Sequence, residues 1–368
     1  MKTIRRILLF GVALLPMATI PGAVSSAAAA QLTLAQIPQC AGVTEGVAYT
    51  IDASRGIFSV EPPAGFDPIT ASDAALACYG FPSRPDSGPA LAHWQGIVRH
   101  AEHYVVPVLG GEGTAQPPQT GTVCNGCSYS TWEGGGNYPW SGYSIPASKN
   151  GWNYLQWTEV NGEWSVPYGH TYSSCHNSTN NFGADDSPWV GLGGDSWDGG
   201  NGNALIQAGT DTMDLNPVLT RFFWEDYPNA QQWVTSPAIN QGDRVYVNVH
   251  YTGASSSTFY YLNYTTDTYA SVSGSTPYVD LSSAEAINED LKESWSSVNF
   301  GSVELCSPEA FGTWGSNYQI QKLLSDSVTL GEFTAYTDST LAHKVAYPGA
   351  IDTSGDFTDY AVAANDAC

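Results

Sequence analysis

The stretch "GDRVYVNVHYTG", residues 242 to 253, has the pattern of a β-strand bounded by turns. Its side chains alternate between two faces, Val245, Val247, Val249 and Tyr251 on one and Arg244, Tyr246, Asn248 and His250 on the other. A period of two residues predicts a strand with one face against an apolar core.

Comparable segments recur from about residue 137 onward, rich in Val, Tyr, Trp and Thr and separated by Gly, Asn, Asp and Ser clusters. They include "NYLQWTEV", "ALIQAGTD", "TFYYLNYTT" and "EFTAYTD". Many short strands with little helix predict an all-β domain, a two-sheet antiparallel β-sandwich of the lectin/glucanase type, over residues 128–368. Some 230 residues, roughly, suffice for one substantial core.

Residues 31–127 have a different composition. Proline-rich turns flank two runs of helical character, "TASDAALACYG" and "ALAHWQGIVRHAEHYVV". Ser72 is placed to cap the first run, and the second places His100 and His103 on a helix as solvated surface residues. A linker, "LGGEGTAQPPQTGTV", follows. We therefore expect a small, partly helical N-terminal segment ahead of the sandwich, with the position and composition of a propeptide.

The first 30 residues read as a signal peptide, with a basic start, an apolar stretch and an alanine-rich end. No later run approaches the roughly 18 uninterrupted apolar residues that a membrane helix needs. We expect a secreted, extracellular protein with no membrane partner once the leader is removed.

The chain carries 12 Lys and Arg against 35 Asp and Glu, a formal net charge of −23. Such a charge makes nucleic acid and anionic membrane surfaces poor partners. Because cations are few, self-repulsion stays modest when the carboxylates are protonated, so the composition suits a fold that tolerates acid; an acidic surface kept for solubility is the alternative reading.

Cysteine usage also suits export. The sequence predicts up to three disulfides and one leftover thiol, with the pairing open, among Cys40, Cys78, Cys124, Cys127, Cys175, Cys306 and Cys368. The run "CNGC", with His170, Cys175 and His176 downstream, could imitate a zinc set. Its spacing matches no finger or ribbon pattern, so we expect no metal.

Several catalytic patterns are missing from the sequence. There is no G-x-S-x-G elbow for a serine nucleophile and no H-E-x-x-H pattern for zinc. Carboxylates remain, and they are dense in "SSAEAINEDLKES", residues 282 to 294. Taken alone, this stretch reads as the acidic face of a short helix capped by Ser283.

Eight segments, in order, resemble the glutamic peptidases (the eqolisin family). They are "YPWSGY" (138–143), "VNGEWSVP" (160–167), "WVGLGGDS" (189–196), "ALIQAGTD" (204–211), "FFWEDYPN" (222–229), "INQGDRVYVNV" (239–249), "AEAINEDL" (284–291) and "VNFGSVELC" (298–306). No single segment is specific, but their common order is.

The resemblance implies an acid-acting endopeptidase of protein or peptide substrates, which we expect to be a monomer without a cofactor. It makes Gln207 and Glu289 the catalytic residues. It also implies a substrate cleft lined by Trp140, Trp189, Asp195, Trp224, Glu225 and Tyr227. The chain departs from the family at four positions: Gly193 replaces an aspartate, Asp226 and Ala286 replace tryptophans, and Asn288 replaces a valine.

The two residue types suit amide hydrolysis in acid. A glutamate, with an ordinary pKa of about 4.3, can accept and return a proton near pH 3 to 4. A glutamine amide donates to an oxyanion at any pH. Two alternatives remain open: an inactive or carbohydrate-binding β-sandwich, and a glycosidase that uses Glu225 and Glu289 as its carboxylate pair.

Overall fold

Two sheets of mostly antiparallel strands make up the fold, and the quoted stretch lies within the first of them. The computed structural model describes residues 32–112, 121–123, 132–134, 140–147, 156–168, 185–194, 204–213, 218–291, 302–314, 317–322, 330–333, 335–336, 344–352 and 355–361. The predicted leader, Asp195 and the zinc alternative built on Cys124, Cys127, His170, Cys175 and His176 lie outside the described residues.

The strands are β1 (Val47–Asp52), β2 (Ile57–Glu61), β3 (His103–Tyr104), β4 (Val108–Glu112), β5 (Gly121–Val123), β6 (Trp132–Gly134), β7 (Trp140–Pro146), β8 (Gln156–Ser165), β9 (Asp185–Gly193), β10 (Leu205–Met213), β11 (Leu219–Tyr227), β12 (Gln232–Ser236), β13 (Arg244–Gly253), β14 (Ser256–Asn263), β15 (Thr268–Ser275), β16 (Ser283–Leu291), β17 (Ser302–Trp314), β18 (Asn317–Lys322), β19 (Gly331–Phe333), β20 (Ala335–Tyr336), β21 (Lys344–Pro348) and β22 (Phe357–Ala361). The first sheet has the order β1-β2-β15-β14-β13-β8-β17-β22-β21-β20, with β18 beside β17 and β3 beside β15. The second has the order β19-β7-β16-β9-β10-β11-β12-β4, and β5 and β6 form a separate pair.

An apolar core fills the space between the two sheets. From the first sheet, Val245, Val247 and Val249 point into it, as the alternation predicts. The second sheet contributes residues from six strands, among them Ile145, Val190, Leu192, Ile206, Ala208, Phe222, Trp224, Val234, Ala284 and Ala286. The prediction of an all-β, two-sheet sandwich is confirmed.

The acidic stretch 282–294 is not a helix where the structure describes it. Ser283–Leu291 forms β16, which pairs with β7 on one side and β9 on the other. Ala284 and Ala286 face the core, so Glu285, Ile287 and Glu289 point to the opposite side of the sheet. Pairing on both sides outweighs the local helical pattern, because it satisfies every backbone group of a buried segment.

Two α-helices form in the N-terminal segment, α1 (Asp73–Cys78) and α2 (Gly88–Val98). The Ser72 hydroxyl accepts a hydrogen bond from the Ala75 amide at 3.2 Å, which confirms the predicted cap. The helical prediction for His100 and His103 is wrong, since α2 ends at Val98 and His103 belongs to β3. There the chain pairs in parallel with β15, so sheet pairing again outweighs local pattern.

The N-terminal segment packs on the outer side of the first sheet, which we call the rear face (Glu159, Glu163, Tyr246, Tyr260 and Tyr269). Helix residues such as Leu76 and Trp94 join Tyr246, Tyr260 and Tyr269 in a second apolar cluster. A disulfide, Cys40–Cys78, lies in this segment. The segment also lengthens both sheets, because β2 pairs with β15 and β4 pairs with β12. No helix among the described residues is both long enough and apolar enough to cross a membrane.

Candidate active site

Gln207 lies on the side of the second sheet that points away from the sandwich core. Its neighbours on β10, Ile206 and Ala208, point into the core, and successive strand residues point to opposite faces. By the same alternation, Glu225 of β11 and Glu289 of β16 share the side of Gln207. We call this side the site face; it is built from β7, β16, β9, β10 and β11.

A single carboxylate holds the Gln207 amide. Gln207 and Glu225 are opposite each other on neighbouring strands, and Gln207 Nε2 donates to Glu225 Oε2 at 2.7 Å. Both side chains are buried. Gln207 Oε1 receives no hydrogen bond from the residues that the structure describes. A buried acceptor left open in this way is uncommon and suits a group that binds substrate or water.

An indole donates to the carboxylate of Glu289. Trp189 Nε1 lies 2.9 Å from Glu289 Oε2, and both residues are 1% exposed. Trp140 is opposite Glu289 in the β7–β16 pair, and its ring meets that of Trp189 edge to face with centroids 4.9 Å apart. The donor is neutral, so Glu289 can exchange a proton without breaking an ion pair to Trp189.

The strand registers separate Gln207 from Glu289. Gln207 is opposite Gly191 of β9, which is opposite Glu285 of β16. Glu289 is four residues farther along β16, opposite Ser187. Strand geometry therefore puts the Cα atoms of Gln207 and Glu289 about 10 Å apart across the sheet and about 13 Å apart along it.

Gln207, Gly191 and Glu285 form one row of paired residues across the strands, and Ser187 and Glu289 belong to another row. The Trp189 ring lies between these two rows. A Cβ atom added to Gly191 would approach Trp189 Cζ3 to 2.9 Å, so the far edge of the indole covers the glycine in the row of Gln207. A Cβ atom at Gly209 would come within 2.6 Å of Trp189 Cβ. Glycine at both positions therefore gives Trp189 the room to span from the Gln207 row to Glu289.

Apolar side chains surround the two polar rows. Trp140 and Trp189 pack with Leu205, Phe223 and Ile287, and the half-buried Tyr227 contacts this group together with Trp233. Trp140, Trp189 and Tyr227 thus lie on the same side of the sheet as Gln207 and Glu289, and their part in a substrate cleft stays a prediction. Sequence reasoning missed Phe223, although counting two residues back from Glu225 along a strand would have found it.

Trp224 does not belong to this face. It points into the sandwich core and stacks on Phe259, with ring centroids 5.0 Å apart. The physical reason is the alternation of the strand, which cannot place both Trp224 and Glu225 on one side. Its predicted place in the substrate cleft is therefore corrected.

A buried ion pair lies at the far end of the site face. Arg221 Nη2 contacts Asp211 Oδ2 at 3.0 Å, and its guanidinium carbon lies 3.2 Å from the Trp233 ring centroid. Ser187, opposite Glu289, donates to Asp211 at 3.4 Å. The pair was not predicted, because its members are ordinary charged residues in sequence and become neighbours only through strand pairing.

Gly193 has a structural reason to replace the aspartate of the family pattern. Its φ is +85°, a backbone conformation that favours glycine. A Cβ atom there would come within 2.4 Å of the Asp280 carbonyl oxygen. A side chain at this position would therefore have to displace backbone.

The described residues include no cluster of three or more His, Cys, Asp or Glu placed to hold a metal ion. The carboxylate pair of the glycosidase alternative belongs to strands three positions apart. Strand spacing puts the Cα atoms of Glu225 and Glu289 about 14 Å apart across the sheet, and one oxygen of Glu225 accepts the Gln207 amide.

Comparison with known proteins adds a family and several structures. Residues 138–343 match the family model described as the Peptidase A4 family. Scytalido-glutamic peptidase with a transition state analog inhibitor is similar at 19% identity and a TM-score of 0.44, covering 62% of this chain and 100% of that one. SCP-B, an eqolisin in complex with the tripeptide Ala-Ile-His, is similar at 17% identity and a TM-score of 0.39, covering 62% of this chain and 100% of that one. Aspergilloglutamic peptidase from Aspergillus niger is similar at 22% identity and a TM-score of 0.35, covering 48% of this chain and 99% of that one. No curated protein matches the sequence.

Proposed function

Because the chain belongs to the Peptidase A4 family, and is thus a peptide-bond hydrolase, we propose that Glu289 and Gln207 carry out its reaction. The match agrees with the resemblance to glutamic peptidases in the sequence, and the family acts on proteins or peptides. We also propose that the enzyme acts in acid and that it is exported.

In the proposed reaction, Glu289 accepts a proton from a water molecule while the water oxygen bonds to the carbonyl carbon of the substrate. The carbonyl oxygen becomes an oxyanion, to which Gln207 Nε2 donates. Glu289 then passes its proton to the amide nitrogen, the C–N bond breaks, and an acid and an amine leave. Glutamate returns to its ionised form, so the cycle is balanced.

The observation that carries this proposal is the state of the Gln207 amide. One N–H is held by Glu225, which leaves the second N–H of the NH₂ group for an oxyanion. The open Oε1 is available to hold the attacking water. A rigid strand and a fixed carboxylate orient the amide before substrate arrives, which is the requirement for electrostatic catalysis.

The Cα atoms of Gln207 and Glu289 are about 10 Å apart across the sheet and about 13 Å apart along it, so one water molecule cannot bond to both side chains. The bound peptide and a chain of water molecules have to span this distance, and Glu289 takes the proton of the attacking water through that chain. Glu285 is in the row of Gln207 itself, across Gly191. Glu285 is therefore the second candidate for the general base, because a carboxylate can accept a proton at this position as well as at Glu289. The test therefore has to separate three carboxylates of the site face: Glu289, Glu285 and Glu225.

We would measure digestion of a denatured protein from pH 2 to 7 by the wild type and by Glu289→Gln, Glu285→Gln and Glu225→Gln, with an aspartic-peptidase inhibitor as a control. The proposal expects cleavage that peaks in acid, resists the inhibitor and is abolished in Glu289→Gln. Glu285→Gln should retain most of its activity, and Glu225→Gln should lose part of it because the Gln207 amide is no longer held by a carboxylate.

Loss of activity in Glu285→Gln with retention in Glu289→Gln would transfer the base to the Gln207 row. If the wild-type protein cleaved no substrate at any pH after its N-terminal segment had been removed, the inactive or carbohydrate-binding alternative would be favoured.

Export and acid operation have separate support. The Cys40–Cys78 disulfide suits an oxidising compartment, as does the signal-like N-terminus. Burial raises the pKa of Asp226 to about 6. Its folded pKa lies above the ordinary value, so its contribution to stability is full in acid and is lost as the pH rises toward 6.

We further propose that the N-terminal segment is a propeptide docked on the rear face. Tyrosines dominate the sheet side of that contact, and their hydroxyl-bearing rings tolerate water if the segment departs. N-terminal sequencing of the active species after acid incubation tests this. Full activity with residues 32–112 still attached would identify a permanent domain.

A further inference from the structure

A buried carboxyl crosses the sandwich core directly behind Glu289. Asp359 lies on β22 of the first sheet and is 0% exposed. Its Oδ2 accepts a hydrogen bond from Asn288 Nδ2 at 3.1 Å, and its Oδ1 accepts one from the Ser141 hydroxyl. One side chain of the first sheet thus binds two strands of the second.

Both donors are next to residues of the site face. Ser141 on β7 is opposite Asn288 on β16, and the adjoining pair in the same register is Trp140 with Glu289. Because successive side chains point to opposite faces of a strand, the core side of β7 and β16 is tied down at the positions that present Trp140 and Glu289 on the other side.

We propose that Asp359 is a positioning residue, which holds Glu289 against the Trp189 indole through its hydrogen bonds to Asn288 and Ser141. The inference rests on the proposed role of Glu289. The glutamic peptidases that the sequence resembles have valine at the position of Asn288, and valine offers no donor. The tether therefore depends on a residue in which this chain departs from the family pattern.

The surroundings of Asp359 keep the tether uncharged in acid. Its hydrogen-bond donors, Ser141 and Asn288, are neutral, and its partners in the flanking strands are Val303 and Pro348. Burial raises the pKa of Asp359 to about 7. At the acid pH of the proposed reaction the carboxyl is therefore protonated, and an asparagine is its close substitute.

The test compares Asp359→Ala, Asp359→Asn, Asn288→Val and the control Asp352→Ala, whose carboxylate belongs to an exposed turn. Steady-state kinetics of the full chain are measured from pH 2 to 7. In Asp359→Ala, kcat should fall about tenfold with KM within about twofold. The rising acid limb of the pH–rate profile should move to higher pH, because the indole N–H of Trp189 no longer favours the ionised form of Glu289.

Asp359→Asn should retain the wild-type rate and profile. Its side-chain oxygen can still accept from Ser141, and the Asn288 amide can turn its Oδ1, which has no donor among the described residues, toward the new NH₂ group. A purely structural role would not give this pattern, because partial unfolding lowers the apparent kcat without moving the pH profile.

Wild-type kcat and pH profile in Asp359→Ala would overturn the inference, as would a lower kcat with an unmoved profile. Should Asp359→Ala fail to fold, Asn288→Val decides by the same two measurements. Failure of the proposed function has a different result: Glu289→Gln then remains active. If Glu289→Gln is inactive and Asp359→Ala behaves as wild type, the positioning role alone is wrong.

Discussion

Glu163 of the rear face and Glu225 and Glu289 of the site face are all buried carboxylates, but the hydrogen-bond donors that the structure shows for them differ. On the rear face, Glu163 contacts His93 at 2.8 Å and Arg244 at 2.7 Å. Burial by itself raises the pKa of Glu163, and these two cations more than reverse that effect, so the pKa is lowered. On the site face, Glu225 accepts from an amide and Glu289 from an indole.

Under the proposed function, this is the difference expected between a carboxylate that holds two parts of the fold together and a carboxylate that acts as a general base. A carboxylate beside two cations stays ionised and ties the N-terminal segment to the sheet. A carboxylate that a neutral group holds can take up and release a proton in its site, as a general base requires. Four measurements test this contrast.

The largest effect is expected from the buried amides of the two faces. Gln207→Leu should lower kcat a hundredfold or more, since one oxyanion donor contributes on the order of 3 kcal/mol. Asn248, on the rear face, also has a buried side-chain oxygen without a donor among the described residues. Asn248→Leu should keep kcat within about twofold of wild type. If kcat fell equally in the two variants, the loss would come from disturbed packing of a buried amide, and not from removal of a catalytic group.

His93→Gln should weaken the rear face by about 1 to 3 kcal/mol, the range for a hydrogen bond to a charged group. The pKa of His93 is raised to about 9, first by its hydrogen bonds to Glu163 and Glu309. Its folded pKa exceeds the unfolded value, so the contribution is full below about pH 6.5 and is lost as the pH rises through about 9.

Urea unfolding of wild type and His93→Gln at pH 6 and pH 10 measures this loss. His100→Gln is the matched control, since His100 pairs with Asp267 on the surface and should contribute less than about 1 kcal/mol. A His93→Gln cost that is the same at both pH values would rule out the ion pair as its source.

Trp189→Phe should lower kcat roughly tenfold, because it removes one hydrogen bond to a charged group and keeps most of the ring. Trp224→Phe is the control. Unlike the indole of Trp189, its indole N–H has no acceptor among the described residues, and its ring lies in the core. We expect a change in the unfolding temperature and little change in kcat. A larger kinetic loss in Trp224→Phe would return Trp224 to the substrate cleft.

The smallest effect is expected from Asp226, which follows Glu225 on β11. Its pKa is raised by burial to about 6, so the folded protein binds this proton more tightly than the unfolded chain and stability falls as the pH rises from about 4 to 6. Asp226→Asn should be more stable than wild type by about 1 kcal/mol at pH 7 and equal to it at pH 3. The measurement is thermal unfolding of both proteins at the two pH values. A stabilisation of equal size at pH 3 and pH 7 would exclude titration of Asp226 as its cause.

Much of the fold could be predicted because strand alternation is local. The pattern of 242–253 identifies β13 and its inward valines, and the same period places Gln207 on the side away from Ile206 and Ala208. The prediction for Trp224 failed through neglect of this rule, since Trp224 and Glu225 are adjacent. The helical alternative for 282–294 failed for another reason, because β16 is stabilised by two partner strands that local pattern does not contain.

Short-range patterns that burial enforces were enough to predict the sandwich and the Ser72 cap, whereas the choice of Gln207 and Glu289 as the residues to test came from the resemblance of eight ordered segments to the glutamic peptidases. Which side chains contact one another depends on the pairing and packing of the strands. The tertiary structure set Gln207 opposite Glu225 and four residues out of register with Glu289. It also brought Asp359 to Asn288 and Ser141, which precede it by 71 and 218 residues. Such contacts depend on the register of every strand between the partners, and that register is a property of the whole packed sheet.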